Sequence, residues 1–311
     1  MRRIIQKRRI WLGISGVTFV AAIIAIALWG LKLGIDFTGG SLLEVKFYAE
    51  RPAVVAVEEK LKDLNLGSLT VQPADNDGMI LRFQDSSKEK QSEVMKKLNE
   101  LVGDESVVKD DKKAANVLVE EVRYDAVGPS IGLELKQKAI TAIFWVFLAI
   151  VVYIGFAFSG VSKPVSSWKY GLSALLAMLH DVIITVGVFS ALGHFYGIEI
   201  NTPFVAAILT VLGYSVHDTI VVFDRIRENL PKSNEDFEGT VNVSLNQTLV
   251  RSINTSFTAL LTLVAILLFG GVAIRSFTLA LTIGIFVGTY SSIFVASPML
   301  VVWERFGRKG E

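Results

Sequence analysis

The sequence predicts an α-helical integral membrane protein: six transmembrane helices, with one α+β domain inserted between the first and the second. Three observations carry this prediction. Of 311 residues, 51% are hydrophobic and 20% charged, with a mean hydropathy of +0.49, a balance outside that of soluble domains. The apolar residues form long, charge-poor runs rather than short periodic patches. A single polar block of about 100 residues interrupts those runs. The same composition excludes several function classes. A formal net charge of +1, with no basic face interleaved with aromatics, gives no nucleic-acid footprint. The absence of cysteine removes disulfides, thiol nucleophiles and cysteine-ligated metals. No cofactor or metal centre is expected, and an enzyme is not the reading.

A span needs about 20 mostly apolar residues to cross roughly 30 Å of hydrocarbon. Six windows meet this: Ile10–Leu31, Ala139–Phe158, Leu172–Leu192, Thr202–Phe223, Ser252–Ala273 and Ser276–Trp303. The first follows Arg2, Arg3, Lys7, Arg8 and Arg9. It is too long for a signal-peptide core and lacks a small-residue cleavage site, so it reads as a retained anchor. Basic residues in short loops mark the cytoplasmic side. With the N-terminus inside, the inner segments hold Lys163, Lys169, Arg225, Arg227, Lys232, Arg251, Arg305, Arg308 and Lys309, and the outer short loops hold only Arg275. Both termini are therefore expected in the cytoplasm. The expected division is 1–35 for the basic N-terminus and first helix, 36–137 for the outer domain, 138–303 for helices two to six and 304–311 for a cytoplasmic tail.

The outer domain changes period along its length. Leu43, Val45 and Phe47 alternate with Glu44 and Lys46, a half-buried strand. Val54, Val57, Leu61 and Leu64 recur at helical spacing. Leu69 and Val71 alternate again, Asp75-Asn76-Asp77-Gly78 makes a turn, and Met79, Leu81 and Phe83 form a returning strand. Ser86 with Glu89 has the spacing of a capping box before a helix carrying Val94, Leu98 and Leu101. Val117–Tyr124 closes the series. The order β-α-β-β-α-β is the ferredoxin-like arrangement. It holds no histidine, no cysteine and no serine with a base nearby in sequence, so it reads as a small folding unit that touches a partner rather than a catalytic one.

Ionisable residues at the centre of a membrane helix cost about 2.5–3.5 kcal/mol each on insertion scales. The third window nevertheless carries His180-Asp181 and the fourth His217-Asp218, at similar depth in antiparallel helices. His180 to Ile184 echoes His217 to Val221. Thr210, Tyr214, His217 and Asp218 fall at i, i+4, i+7 and i+8, a single face expected to look into the bundle or a water-filled cavity. At the start of the fifth window, Arg251, Thr255, Thr258 and Thr262 form another stripe. Arginine keeps its charge and suits a carboxylate partner, which leaves Asp218 as the group whose proton comes and goes, in a relay with Arg251. The residues leave a second reading open: Asp218 and Asp181 as structural hydrogen-bonding groups, and Arg251 as an interfacial anchor. The histidines lack the spacing of a closed metal site. In the sixth window Gly284 and Gly288, followed by Ser291 and Ser292, make a close-packing face for a partner or for another helix of the same bundle.

At this point several runs resemble a known family. Gly34-Ile35-Asp36-Phe37-Thr38-Gly39-Gly40 resembles the D-F-x-G-G signature of the SecD/SecF family, and Val127-Gly128-Pro129-Ser130-Ile131-Gly132 its V-G-P-x-[IV]-G run. Gly213 through Asn229 is similar to the stretch that marks the SecF branch rather than SecD. The resemblance covers essentially the whole chain. It implies a protein of the bacterial cytoplasmic membrane, related to the resistance-nodulation-division transporters, that assists Sec-dependent protein export. Such a protein would use the proton (or sodium) motive force to pull or release polypeptide on the outer side. The resemblance also makes Asp218 the ion-coupling carboxylate and Arg251 its cationic partner; His217, Tyr214, Thr255, His180 and Asp181 are the expected relay support, read from their own positions in the helices. His217 stands where many members have Asn, and a histidine titrates near neutrality. Relatives in the superfamily have twelve spans in two halves, so the resemblance implies a SecD partner supplying six more helices. The Sec translocase channel and its associated subunits, the exported polypeptide and the lipid bilayer complete the expected partners. Two other readings stand beside it: a non-transducing scaffold that steadies SecD and the channel, and a small-molecule exporter, for which the outer domain is small.

Overall fold

The computed structural model describes residues 2–48, 50–74, 77–103, 118–158 and 165–308. In chain order its elements are α1 (Arg8–Trp29), α2 (Ile35–Thr38), β1 (Gly40–Phe47), α3 (Val54–Leu61), β2 (Thr70–Ala74), β3 (Gly78–Phe83), α4 (Lys88–Gly103) and β4 (Val119–Val127). There follow α5 (Pro129–Ala157), α6 (Ser167–Tyr196), α7 (Thr202–Asn229), α8 (Phe237–Phe269), α9 (Val272–Ser291), a π-helical segment (Ser292–Ala296) and α10 (Ser297–Arg308). The chain divides into two compact units, Met1–Lys32 with Ala139–Glu311, and Leu33–Lys138.

Among the described residues of the smaller unit, α3, α4 and the four strands stand in the order β1-α3-β2-β3-α4-β4 read from the periodicity, after the short turn α2. The strands make one antiparallel sheet in the order β2-β3-β1-β4. Leu43, Val45 and Phe47 of β1 are buried with Met79, Leu81 and Phe83 of β3, against Val57 and Leu61 of α3 and Val94 and Leu98 of α4. Lys46, between two of them, is exposed, the alternation of a sheet covered on one face. Pro73 lies in β2, an edge strand, where a missing N–H costs no ladder bond. The opposite edge strand β4 exposes Glu120, Glu121 and Arg123, charges that discourage pairing with another chain. The Ser86–Glu89 capping box is not in register. The helix begins at Lys88, and Asp85 fixes the turn by accepting from the Ser87 N–H (2.8 Å) and Oγ (2.6 Å). Asp75 and Asn76 of the expected turn, and Val117 of the expected last strand, lie outside the described residues.

Among the described residues six helices are long and apolar enough to cross a membrane: Ile5–Trp29, Pro129–Ala157, Ser167–Tyr196, Thr202–Lys232, Phe237–Phe269 and Ile274–Arg305. Most run well past the hydropathy windows. A hydropathy window detects hydrocarbon depth, whereas the helix continues into water wherever its ends are capped. The N-cap of α8 is Asp236, whose carboxylate accepts from Gly239 N–H at 2.8 Å. The N-cap of α7 is Asn201, accepting from Phe204 N–H at 3.1 Å with Pro203 in the first turn. About half of the α6, α7 and last spans is buried within the unit, against 17% or less for α1, α5 and α8. The first three are therefore the central helices.

Close approach of the helices is built from small residues. A Cβ on Gly187 of α6 would come within 2.7 Å of the Ala22 Cα of α1, and Ser190 Oγ reaches over to donate to the Ala25 and Gly30 carbonyls at 2.9 and 2.5 Å. At one end of the bundle Phe158, Tyr170 and Phe223 pack ring on ring, joining α5, α6 and α7. There the N-terminal strap is held to α8: Asn242 Oδ1 accepts from the Ile4 and Ile5 N–H groups, and Arg8 pairs with Glu238 at 2.7 Å.

Candidate functional site

The polar residues buried at membrane depth gather where α6, α7 and α9 meet. Gly284 and Gly288 bring α9 against α7. A side chain on Gly284 would run into Val211, and a Cβ on Gly288 would sit 3.3 Å from Ser215 Cβ and 3.5 Å from Asp181 Oδ2. The small-residue face of the last span is thus filled by the chain's own α7. It is not left for a second subunit, as one of the two expectations had it.

That contact positions two carboxylates. Asp181 is fully buried. Its Oδ2 accepts from Ser215 Oγ of α7 at 2.5 Å and from Ser291 Oγ of α9 at 2.6 Å, and its Oδ1 lies 2.9 Å from His180 Nδ1. Asp218 of α7 is 8% exposed and accepts from Ser292 Oγ. Neighbouring serines at the end of α9 therefore hold one carboxylate each. A buried carboxylate without donors would be costly, and these hydroxyls supply them. The π-helical segment opens at Ser292, and Ser297 Oγ donates to the Ser292 carbonyl at 3.1 Å, five residues back. Segments of this kind are rare and concentrate at working sites.

The expected relay face of α7 divides. Asp218 points inward with Ser215 and Thr219, but His217 and Thr210 are exposed. Consecutive residues lie about 100° apart around a helix, so His217 and Asp218 cannot share one narrow face. Tyr214 is half-buried and donates to Ser256 Oγ of α8 at 2.9 Å, which also accepts from Thr289 Oγ1 of α9 at 2.7 Å. The expected partner Arg251 is exposed. Among the described residues no ion pair joins it to Asp218. Thr255 is exposed beside it, its hydroxyl bonded to the Arg251 carbonyl at 2.8 Å. Thr258 and Thr262 likewise turn their hydroxyls onto carbonyls four residues back. The structure thus brings together His180, Asp181 and Asp218, and leaves Arg251, His217 and Thr255 on the outside of the bundle.

Sequence reasoning passed over Ser215, Ser291 and Ser292 as ligands of the carboxylates. A signal was present. Gly284, Gly288, Ser291 and Ser292 repeat the i, i+4, i+7, i+8 spacing seen on α7.

Residues 107–306 match the family model described as protein export membrane protein SecD/SecF, C-terminal, and residues 25–47 match the SecD/SecF GG motif. The chain is 42% identical to protein translocase subunit SecF of Thermobaculum terrenum over 97% of its own length and 94% of that protein's. The chain belongs to the SecD/SecF family of protein export membrane proteins. It is also 39% identical to the SecF subunit of Anaerolinea thermophila, over 98% of this chain and 94% of the relative. Among solved structures it is similar to SecDF, a translocon-associated membrane protein from Thermus thermophilus, with a TM-score of 0.78 and 32% identity. That likeness covers 98% of this chain and 39% of the SecDF chain, so the chain spans about two fifths of SecDF. With its family and six apolar helices, the chain is a multi-pass protein of the bacterial inner membrane.

The family's two signature runs meet in the smaller unit, and their glycines have a packing reason. Asp36, Phe37 and Thr38 form the helical turn α2, in which Phe37 is buried and Thr38 Oγ1 donates to the Gly34 carbonyl at 3.1 Å. Gly39 has φ +74 and Gly40 φ +122, conformations open to glycine. A Cβ on Gly39 would come within 2.8 Å of Pro129 Cα, and one on Gly132 within 2.9 Å of Gly39 N. Pro129, following Gly128, starts α5, where its missing N–H costs nothing.

Proposed function

We propose that the chain is the SecF-type half of a motive-force-coupled accessory unit of the Sec protein translocase. In this reading Asp218 is the ion-coupling carboxylate and Arg251 its cationic partner. The observation that carries it is the arrangement of Asp181 and Asp218 on consecutive serines at the mouth of a π-helical segment, in a family whose relatives are named translocase subunits. When Asp218 is ionised, its charge draws the Arg251 side of α8 inward. When it is protonated, the Ser292 hydroxyl alone satisfies it and α8 is released. Each proton carried inward supplies about 2.3 kcal/mol per 100 mV of potential. That energy repacks α7, α8 and α9, and the repacking drives the outer domain to act on exported polypeptide. No covalent chemistry is assigned to the chain.

The exposed polar stripe supports a SecD-type partner. Arg251, Asn254, Thr255 and His217 face outward at or near hydrocarbon depth, where a charge facing lipid is costly. A second six-helix half laid over this stripe would cover them and complete the relay. We further read the smaller unit as ferredoxin-like. Its support is the β-α-β-β-α-β order and the antiparallel β2-β3-β1-β4 sheet. The basic loops favour cytoplasmic termini on either side of the six spans. The closed hydrogen-bond shell of Asp181 favours a scaffold role for that one residue.

The test is secretion in cells that depend on this chain. Asp218→Asn is expected to insert and bind its partner normally while motive-force-dependent secretion is lost. Arg251→Met should behave alike, and Arg251→Lys should retain part of the activity, because charge without the planar fork pairs less well. Undiminished secretion by Asp218→Asn would leave the scaffold reading standing.

A further inference from the structure

A cavity of about 810 Å³ opens between the N-terminal strap, α8 and the end of α9. Its walls are apolar and aromatic, with Trp11, Phe257, Phe286 and Phe294 prominent. One end is lined by Arg2, Arg3 and Lys7, and no acidic residue lines it anywhere. The three cations are exposed, and among the described residues none is ion-paired. Their neighbour Arg8 is neutralised by Glu238, which Arg305 also engages. The strap itself is fixed in place. The Arg2 N–H donates to Asn246 Oδ1 at 2.9 Å, and the Arg2 carbonyl accepts from Asn242 and Asn246 at 3.1 and 2.9 Å. The backbone is thus pinned to α8 while the guanidinium is left free.

We propose that this cavity is a binding site for one anionic phospholipid. The phosphate-bearing headgroup lies among Arg2, Arg3 and Lys7, and an acyl chain lies along Trp11, Phe257 and Phe286. Charge complementarity selects the ligand: a basic mouth over an apolar channel fits an anionic headgroup on a hydrocarbon tail. The site is distinct from the stripe read as the partner face. Leu260 in the cavity wall and Arg251 in the stripe are nine residues apart on α8, about half a turn around it. The cavity side of α8 therefore faces away from that stripe. The proposal does not depend on ion coupling.

Native mass spectrometry of the full chain, exchanged into mixed phosphatidylglycerol and phosphatidylcholine, tests it. The chain should retain one phosphatidylglycerol in preference to phosphatidylcholine. The variant carrying Arg2→Gln, Arg3→Gln and Lys7→Gln should lose that preference by about tenfold or more. Arg9→Gln, outside the cavity, should keep it. Because removing three charges also weakens membrane orientation, Leu260→Trp, which fills the channel and leaves every charge, supplies a second variant and should lose the lipid too. A photoreactive residue at Phe257 should crosslink to lipid in cells. Equal retention of both lipids, undiminished phosphatidylglycerol on both variants, or crosslinks running to another polypeptide would each overturn the proposal.

Discussion

Asp181 is held by donors from three helices, and its removal has a definite consequence. Asp181→Ala would take the carboxylate acceptor from the buried Ser215 hydroxyl and from His180, while Ser291 keeps the Gly288 carbonyl. Unsatisfied buried groups cost about 1–3 kcal/mol each, so the variant should melt several degrees lower in detergent. Ser292→Ala removes the hydroxyl that donates to buried Asp218 and to the Thr289 carbonyl. It should therefore also lower the melting temperature, at a cost of about 1–3 kcal/mol of stability, and impair transport beyond that loss. Transport lost by Ser292→Ala out of proportion to its stability, against a matched loss of both in Asp181→Ala, would separate a structural carboxylate from the proposed ion-coupling one. Outside the membrane, the Asp85 carboxyl is held below its ordinary range, chiefly by the Ser87 hydroxyl and then by its N–H. A depressed carboxylate pKa stabilises the fold above its unfolded value and ceases to do so as pH falls through the folded one. Amide exchange at the start of α4 should therefore be slower in the natural chain than in Asp85→Asn at neutral pH, and the difference should vanish in strong acid. Much of the residue-level picture was legible in the sequence. Asp218 and Asp181 stood out by cost alone, and the family resemblance singled out Asp218 independently. The serines did not, because a hydroxyl in a membrane helix is inexpensive when it bonds its own backbone, as Thr255 does, and only tertiary packing distinguishes it from Ser292.

Among the elements, α9 matters most, because its glycines set how near α7 approaches. Gly284→Val would drive methyl groups into Val211. Overpacking of this kind costs about 1–3 kcal/mol, and the variant should lose both thermal stability and transport. Gly155→Ala, where a Cβ would meet nothing within 4 Å, should be silent in both assays. The strand and helix order of the smaller unit was readable from period, most clearly in β1, where buried Leu43, Val45 and Phe47 alternate with Glu44 and Lys46; β3 keeps Met79, Leu81 and Phe83 buried but also buries Ile80. The start of α4 was misread by a residue or two, because Asp85, Ser86 and Ser87 all have capping side chains. Only the folded turn decides which of them accepts. The π-helical segment could not be foreseen, as nothing in Ser292–Ala296 departs from an ordinary apolar helix.

For the whole molecule, the proposed assembly places the exposed Arg251 and the row of threonines on α8 beneath a SecD-type partner. The lack of cysteine makes this easy to test, because a single introduced thiol is unique. Thr255→Cys should react readily with a water-soluble maleimide when the chain is expressed alone, and be protected when a SecD-type partner is co-expressed. Val152→Cys, on the exposed side of α5, should be indifferent to the partner. Spacing shows that His217 and Asp218 diverge by about 100° around α7, but not which of the two turns inward. A face read from i, i+4, i+7 and i+8 is wide enough to span a bundle interior and a subunit boundary at once.

Ionisation of Asp218 is the proposed step that couples the potential to transport. The most direct measurement is the rate at which inverted membrane vesicles complete a half-translocated polypeptide, with and without a motive force and with ATP exhausted. Vesicles carrying the natural chain should accelerate when the force is imposed, and vesicles carrying equal amounts of Asp218→Asn should not. Equal acceleration in both would contradict the account.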